Sequence, residues 1–387
     1  MSRQNGSRTR QVLYGSVATL RLDRPAGFAA FFAVLALLGG LLGASAPRAE
    51  TGPERVYLWV QRAALEDTLS FRALADSAAA IGCTDLLLQV RGRGEAYYRS
   101  LTEPAPAAVE DLSPTDSIPG ERPSERSLRF DPLDAALRAC RERGLRAHAW
   151  INVFLAGRWG EERPAHVLLR HPEWKLRLPD GRLPESLPAR ERRRLGLEGI
   201  YLDPAHPRVI PYLRGVVREL VWRYRLDGLH LDYIRTPHAS AGGDSTHAGR
   251  VSLAVEAIAA AARDASPAIV VSAAVIPDPD RARRSCAQDW PRWLEEGWCD
   301  TVLLMAYTDS IDRLESWSRA IASREPIGGR IVYGFGLHEV EPGSLGRLLD
   351  WAAARGEDRL ALFSDRQLRS RDELRTILRK RLKGAAG

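Results

Sequence analysis

Several residue types are scarce in this sequence of 387 residues, and each scarcity narrows the class of protein. Its four cysteines form no Cys-x-x-Cys pair and have no histidine at zinc-binding spacing, which argues against a zinc finger or ribbon. Lysine occurs only at positions 175, 380 and 383, so arginine supplies almost all of the basic charge behind the net +7. Because these arginines form no basic helix or aromatic–basic RNA motif, the charge does not indicate a nucleic-acid partner.

The N-terminal segment, residues 1–50, predicts a signal peptide or a membrane anchor. Five arginines between positions 3 and 24 precede an apolar run at residues 26–42, and Ala44-Ser45-Ala46 follows as a small-x-small cleavage site. The run is about as long as a minimal membrane span, so an uncleaved anchor is the alternative to cleavage. We therefore expect an exported protein, periplasmic or extracellular, or one tethered to the membrane through residues 26–42.

The remainder, residues 51–387, alternates short apolar runs with helical patterns. Eight runs read as strands: residues 56–60, 85–90, 146–151, 228–231, 269–275, 301–305, 331–335 and 360–363. Eight strand–helix units predict an α/β protein with the (β/α)8 TIM-barrel fold. A doubly wound open sheet is the rival, but the turn after the first strand reads Gln-Arg-Ala-Ala and lacks the glycines of a dinucleotide site.

Two long loops interrupt the alternation, after the second and third strands. Residues 101–128 are rich in proline, serine and acidic residues and predict a disordered loop. The other loop carries HPEW at 171–174, which we interpret as an anchor that buries Trp174. It also carries a basic run at 190–194, interpreted as a solvated face, with contact to an anionic polymer as the alternative.

The fourth strand is the centre of the functional prediction. Residues 226–237 read LDGLHLDYIRTP, a buried parallel strand bounded by turn residues. Because the strand period is two, His230 and Asp232 point into one cavity. A carboxylate at the end of such a strand lies where α/β barrels keep their chemistry. The structural alternative is that Asp232 caps the next loop or pairs with Arg235.

Eight separated motifs over residues 56–363 together resemble the bacterial glycosyl hydrolase-like family 10. They are VYLWVQR, LLLQVRGRGEAYY, HAWINVF, HPEW, YLDPAHPRV, DGLHLDYIRTP, QDWPRWLEEGWCD and LLMAYT, in that order. The resemblance implies an exported glycoside hydrolase-type barrel that acts on a cell-envelope or extracellular glycan. Peptidoglycan strands would fit the expected location.

More distant likenesses imply a role for the central carboxylate. DGLHLD is similar to the fourth strand of α-amylase-type barrels, in which the residue matching Asp232 is the nucleophile and arginine stands where this chain has His230. It also resembles family 18 chitinases, but their acid would fall at Ile234, which argues against their usual substrate-assisted chemistry. We expect Asp232 to act as nucleophile or charge stabiliser, with Arg91, Arg235 or His230 lowering its pKa.

The second carboxyl group that glycoside hydrolysis needs is not obvious from the sequence. Asp278, Asp309 and Glu339 follow strands five, six and seven, and all would lie on the catalytic face. We rank Asp278 and Asp309 equally and Glu339 lower. Each has a structural alternative, such as the Pro-Asp-Pro turn around Asp278.

Polar and aromatic residues near the strand ends are the expected sugar contacts. The predicted substrate-binding residues are Gln61, Gln89, Arg91, Asn152, His230, Arg235 and Tyr307. Aromatic side chains could stack on sugar faces or pack in the core: Trp59, Trp150, Tyr97 and Tyr98. His148 lies deeper and reads as a core histidine.

We expect no cofactor and no metal site, and a glycan as the partner. A non-catalytic glycan-binding barrel is the alternative function. A polysaccharide deacetylase is disfavoured, because its metal triad of clustered histidine and aspartate is missing from the sequence. Export would permit disulfides, and Cys286 with Cys299 is the pair to test.

Overall fold

The computed structural model describes residues 52–109, 128–160, 166–237, 245–324 and 328–383. Residues 50–387 form a unit of their own. The predicted signal or anchor, including residues 26–42, lies outside the described residues. Within the described ranges, no helix combines the length and apolar character needed to cross a membrane.

Eight parallel strands close into a barrel, as predicted. They are β1 (Arg55–Val60), β2 (Asp85–Gly92), β3 (Arg146–Asn152), β4 (Gly228–Asp232), β5 (Val270–Val275), β6 (Thr301–Met305), β7 (Ile331–Gly336) and β8 (Arg359–Phe363). Each strand pairs with its neighbours in sequence, and β1 pairs with both β2 and β8, which closes the ring. The (β/α)8 fold is therefore confirmed.

Helices connect the strands and surround the barrel. The main ones are Thr68–Ile81, Pro132–Arg141, Val209–Arg223, Ser245–Ala265, Pro279–Cys286, Trp290–Glu295, Ile311–Ala322, Pro342–Ala354, Asp365–Ser370 and Asp372–Leu382. The local sequence sets their ends. In the first helix, the Asp67 side chain accepts from the Ser70 amide, and Gly82 ends the helix with a φ of 97°.

Short elements fill the two long loops. They are the strands Glu95–Ala96, Leu155–Gly157 and Ile200–Tyr201, the helices Val167–Arg170 and Ala189–Arg194, and the 3-10 turns Pro172–Trp174 and Pro184–Ser186. Trp174 is buried, with His171 stacked on it at 4.0 Å between ring centroids, which agrees with the predicted anchor. Residues 101–109 pack against the protein and bury Glu103 and Val109, while residues 110–127 of the predicted disordered loop lie outside the described ranges.

Side chains that alternate along the strands fill the barrel interior. The strand register places Trp150 beside His230, and His230 beside Ser272. An inner cluster forms from Tyr57, Trp59, Leu87, Trp150, Ala274, Leu303, Val332 and Ala361. A larger cluster lies between the strands and the helices. Trp59 and Trp150 are therefore packed core residues, which is one of the two roles predicted for them.

The N-terminal end of the barrel carries a buried charge cluster around Asp85. Arg55, Arg146 and His148 all bond its carboxylate, at 3.0 Å from Arg146 Nε and 2.9 Å from His148 Nε2. Burial raises the pKa of Asp85, but hydrogen bonds from these partners outweigh it and hold the pKa well below its ordinary value. His148 is thus a core histidine, as predicted.

All four cysteines are free thiols, and the pair Cys286–Cys299 forms no disulfide. Three of the four thiols are buried, in keeping with small apolar residues in a packed interior. The basic run folds as the helix Ala189–Arg194, which buries none of its residues.

Candidate active site

Asp232 is the last residue of β4, at the C-terminal mouth of the barrel. Its residue is only 7% exposed, and its Oδ1 accepts a hydrogen bond from the Tyr233 amide at 2.6 Å. Tyr233 has a φ of 47°, in the left-handed region that residues with a β-carbon rarely adopt. Backbone strain of this kind concentrates at functional sites, where the surrounding structure holds it in place.

Arg235 joins Asp232 to a second carboxyl group, Glu198. Arg235 Nη1 lies 3.9 Å from Asp232 Oδ1, and Nη2 lies 2.9 Å from Glu198 Oε2. The Tyr201 hydroxyl donates to the same Glu198 oxygen at 2.7 Å. The guanidinium also lies over the Tyr233 ring, 4.4 Å from its centroid. Two carboxyl groups therefore share one guanidinium at the barrel mouth.

Glu198 cannot be identified from the sequence, because it lies in the irregular part of the loop after β3. The candidate carboxylates named above all follow strands, whereas Glu198 precedes the two-residue strand Ile200–Tyr201. Neither a periodic pattern nor the end of a strand identifies Glu198 in the sequence. Its position near Asp232 becomes clear only from the path of the loop back to the barrel.

The expectation that positive neighbours keep the pKa of Asp232 low is wrong. Burial is the largest influence and raises this pKa, because desolvation penalises the charged form. Arg235 and the Tyr233 amide oppose the rise, while the nearby Glu198 adds to it. The single guanidinium at 3.9 Å is too weak a partner to reverse the effect of burial.

Trp150 and Tyr307 both interact electrostatically with the Asp232 carboxyl group. The Trp150 indole N–H favours the charged form of Asp232, yet it makes no hydrogen bond of normal geometry with any described residue. The pKa of Tyr307 is raised well above its ordinary value by burial and by the charge of Asp232. A buried donor without a partner next to a carboxyl group is available to a ligand hydroxyl.

An aromatic wall continues the mouth on the side of β6 to β8. Tyr307 stacks on Phe363 with ring centroids 5.3 Å apart, and His338 meets both rings edge-on. Gly336 makes this packing possible, since a β-carbon there would lie 2.9 Å from the Tyr307 ring. Apolar and aromatic surface with a few convergent polar groups is the usual lining of a ligand site.

His230, a predicted substrate contact, has both ring nitrogens bonded within the protein. Its Nε2 accepts from Trp59 Nε1 at 2.9 Å, and its Nδ1 lies 2.9 Å from Ser272 Oγ. Because an indole N–H can only donate, Nε2 carries no proton and Nδ1 is the protonated nitrogen of the neutral ring. Burial lowers the pKa of His230 to about 3, so the imidazole stays neutral below the mouth.

Arg91 is likewise committed within the protein and presents no free guanidinium. It is fully buried, its Nε lies 2.8 Å from both Glu103 oxygens, and its Nη1 donates to the Asn152 carbonyl. The Tyr212 hydroxyl donates to the same Glu103 carboxylate. This buried cluster ties the loop after β2 to the end of β3, so Arg91 supports the mouth and its predicted sugar contact is corrected to this structural one.

The predicted amides lie at the ends of β1 to β3. Gln89 Nε2 donates to Asn152 Oδ1 at 3.2 Å, and Asn152 pairs in register with Asp232 on the next strand. Gln61 is half-buried, and its backbone amide donates to Asp365 Oδ1 at 2.9 Å. These three amides thus belong to neighbouring strands, whereas Tyr307 follows β6 in another part of the ring.

The carboxylates predicted as partners of Asp232 have other surroundings. Asp278 caps the helix Pro279–Cys286, where its side chain accepts from the Arg281 amide at 2.8 Å. Asp309 is exposed after β6. Glu339 is exposed after β7, and an Oε1 lies 3.4 Å from His338 Nε2. The capping bond of Asp278 is the structural role that the Pro-Asp-Pro turn suggested.

The other predicted stacking residues, Tyr97 and Tyr98, are buried in the loop after β2. Tyr97 donates to Glu66 Oε1 at 3.2 Å, and Tyr98 meets Tyr224 edge-on at 5.9 Å. Their rings therefore serve packing. In the described part of the chain, no group of three or more His, Cys, Asp or Glu side chains is placed to hold a metal ion.

This chain resembles known proteins in sequence and in fold. Residues 76–250 match the family described as Glycosyl hydrolase-like 10. Glycosyl hydrolase DigH of Escherichia coli K12 is 27% identical over 203 residues, which are 49% of this chain and 38% of DigH. DigH of Shigella flexneri matches to the same extent. The chain thus aligns with well under half the length of these curated relatives.

Solved structures agree in fold. Alpha-L-fucosidase isoenzyme 2 from Paenibacillus thiaminolyticus has a TM-score of 0.54 at 15% identity, over 84% of this chain and 48% of that one. The catalytic domain of beta-amylase from Paenibacillus polymyxa has a TM-score of 0.56 at 10% identity, over 86% and 100%. At these identities the likeness shows the barrel alone. The family match confirms the resemblance: residues 76–250 of this chain match the model of glycosyl hydrolase-like family 10.

Proposed function

We propose that this protein is an exported glycoside hydrolase that acts on a bacterial cell-envelope or extracellular glycan. The observation that carries the proposal is Asp232: a buried carboxyl group at the catalytic end of a barrel strand, on a strained turn, with an unpartnered indole N–H beside it. The amides at the mouth and the aromatic wall of Tyr307, Phe363 and His338 supply the hydrogen bonds and apolar surface that a sugar requires.

Two features support the finer parts of the proposal. The N-terminal segment predicts export, and peptidoglycan strands are an abundant glycan outside the cytoplasm. The predicted role of Asp232, nucleophile or charge stabiliser of an oxocarbenium-like centre, stays a prediction. The raised pKa of Asp232 favours a third role, proton donation to the leaving oxygen, because a carboxyl group that keeps its proton can act as the general acid.

Release of reducing ends from purified peptidoglycan glycan strands tests the proposal. We expect turnover by the wild type, and a fall on the order of 10³-fold or more in Asp232→Asn, which keeps the shape and removes the acid. Asp264→Asn is the matched control, because Asp264 is exposed on the helix Ser245–Ala265. Equal rates for wild type and Asp232→Asn would remove Asp232 from the mechanism.

A non-catalytic glycan-binding barrel is the second candidate. It is favoured by the surroundings of Asp278, which caps a helix, and of Asp309, which is exposed, because neither is a clear second carboxyl group. It predicts no turnover by the wild type on any glycan, together with saturable binding to the same strands. Isothermal titration of the wild type beside the reducing-end assay separates the two functions.

A further inference from the structure

We infer that Glu198 is the second carboxyl group of this active site, the base that activates water opposite Asp232. The inference rests on the proposed glycoside hydrolase function and adds the residue that the sequence did not supply. It is carried by the shared guanidinium: Arg235 Nη2 binds Glu198 at 2.9 Å, and Nη1 faces Asp232 at 3.9 Å. Glu198 is thereby held at the mouth by a residue that follows the catalytic strand.

The loop after β3 is built to deliver this side chain to a fixed place. Leu155–Gly157 pairs with Ile200–Tyr201, which brings the far end of the loop back against β3. Gly199 allows that close approach, since a β-carbon there would lie 2.4 Å from the Gly157 carbonyl oxygen. Leu197 on the other side is buried in a small apolar cluster. The backbone on both sides of Glu198 is therefore fixed by packing.

The Glu198 side chain itself remains open to solvent. It is 44% exposed, whereas Arg235 is 12% exposed and Asp232 10% exposed as side chains. The two carboxyl groups thus occupy different surroundings, one buried and one accessible to water. Unlike surroundings are what separate an acid from a base when both are carboxyl groups.

Arg235 sets the separation of the two groups, because one carboxyl group faces each of its terminal nitrogens. A guanidinium with one carboxyl group on each terminal nitrogen keeps the pair farther apart than carboxyl groups in direct contact. Inverting glycosidases hold theirs about 6.5–9.5 Å apart to leave room for water, against roughly 5–5.5 Å in retaining enzymes. The Trp150 N–H and the Arg235 Nη1 group, both near Asp232, make no hydrogen bonds to described residues.

The proposed step balances as a single displacement. Protonated Asp232 gives its proton to the glycosidic oxygen, and the bond from that oxygen to the anomeric carbon breaks with its electron pair on the oxygen. Glu198 takes a proton from water as the water oxygen bonds to the anomeric carbon on the opposite face. One water is consumed, and the proton returns from Glu198 to Asp232 through solvent.

The test compares Glu198→Gln with Glu185→Gln, a matched control in the same loop that pairs with Lys175 at 2.9 Å. On glycan strands we expect kcat to fall by about 10²–10⁴-fold in Glu198→Gln and to stay unchanged in the control. The acidic limb of the pH profile of kcat/KM should flatten in Glu198→Gln. A loss through altered packing alone would leave the shape of that limb unchanged.

Chemical rescue provides the second readout. Glu198→Ala with sodium azide should regain turnover and release a glycosyl azide of inverted anomeric configuration, because azide occupies the place of the carboxylate and its water. Wild-type turnover that Glu198→Gln leaves intact would overturn the inference alone. Absence of wild-type turnover would overturn the inference and the proposed function together. A wild-type product of retained configuration would overturn the role of Glu198 as base.

Discussion

The two ends of the barrel each bury an aspartate beside arginine, and the two carboxyl groups respond in opposite ways. At the N-terminal end, the carboxylate of Asp85 accepts from two arginines, His148 and Thr84, and its pKa falls. At the C-terminal mouth, Asp232 has the Tyr233 amide and one guanidinium at 3.9 Å, and its pKa rises. The number of donors on the carboxylate decides whether burial or pairing dominates.

The difference between Asp85 and Asp232 suggests a division of roles between the two ends of the barrel, with stability at the N-terminal end and function at the C-terminal mouth. The carboxylate of Asp85 is saturated by its own protein, so it has nothing to offer a ligand. Near Asp232, two donors lack hydrogen-bond partners in the described chain, Trp150 Nε1 and Arg235 Nη1, whereas at the Asp85 cluster the atom without a partner is His148 Nδ1. Unsatisfied buried groups cost free energy, and such cost is retained where a ligand supplies the missing partners. In α/β barrels the catalytic face is the one at the C-terminal strand ends.

Asp232→Asn should produce the largest effect, a loss of activity without a loss of stability. We expect reducing-end release to fall on the order of 10³-fold or more, as for loss of a group acting in the transition state. The melting temperature at neutral pH should not fall, because the variant removes an under-solvated carboxyl group. A melting temperature lowered by more than a few degrees would show that Asp232, like Asp85, stabilises the fold.

Asp85→Asn should produce the reverse pattern. Removing the shared partner of a buried pair costs about 3 kcal/mol of unfolding free energy, toward the low end because Arg55 and Arg146 are partly exposed. Urea denaturation measures that loss. The kcat of the folded fraction should equal that of the wild type, and a selective loss of kcat without loss of stability would contradict the division between the two ends.

The two aspartates should also impose opposite pH dependences on folding. The pKa of Asp85 lies below its ordinary value of 3.8 in the folded state, so its stabilisation is present above pH 3.8 and is lost as pH falls through the folded value. The pKa of Asp232 lies above 3.8, so this group lowers stability as pH rises through its folded value.

Melts at several pH values check these signs. Asp232→Asn should match or exceed the wild type above the folded pKa of Asp232, and the gap should close below pH 3.8. Asp85→Asn should show its full deficit at neutral pH and a smaller one in acid. Parallel curves for wild type and both variants would show that neither carboxyl group is linked to folding.

Gly228→Ala tests the packing at the N-terminal end. A β-carbon at Gly228 would lie 2.0 Å from His148 Nδ1, so the ring that binds Asp85 would have to move, at a cost of about 1–3 kcal/mol. Gly215→Ala is the matched control: Gly215 lies in the helix Val209–Arg223 with no atom within 4 Å of its β-carbon position. The control should gain roughly 0.5–1 kcal/mol from helix propensity. Equal urea midpoints for the two variants would refute the clash.

The smallest expected effect is at His230. With its pKa lowered to about 3, this imidazole should take up no proton between pH 5 and 8. Its NMR ring shifts should stay constant over that range, with the proton on Nδ1 throughout. A titration near the ordinary value of 6.5 would show that the floor of the mouth is open to water and that Trp59 and Ser272 do not hold the ring.

The fold could be predicted from sequence because strand period and length are local properties. The alternation His148, Trp150 and Asn152 placed three residues on the inner face of one strand, and the register confirms that face. Partners that depend on distant chain could not be predicted in this way. Arg91 was predicted to contact substrate, but its guanidinium is bonded to Glu103, which comes from the following loop. Glu198 does not follow a barrel strand, so no local pattern predicts its position.

Tyr233 sets two kinds of selection against each other. Its left-handed backbone favours glycine or asparagine, so a library at this position screened for heat tolerance should enrich those two residues. Its ring, however, supports the Arg235 guanidinium from below and borders Tyr201. A library screened for turnover should return tyrosine. The difference in unfolding free energy between the residues selected by the two screens would measure how much stability this barrel gives up to keep the Arg235 guanidinium in place.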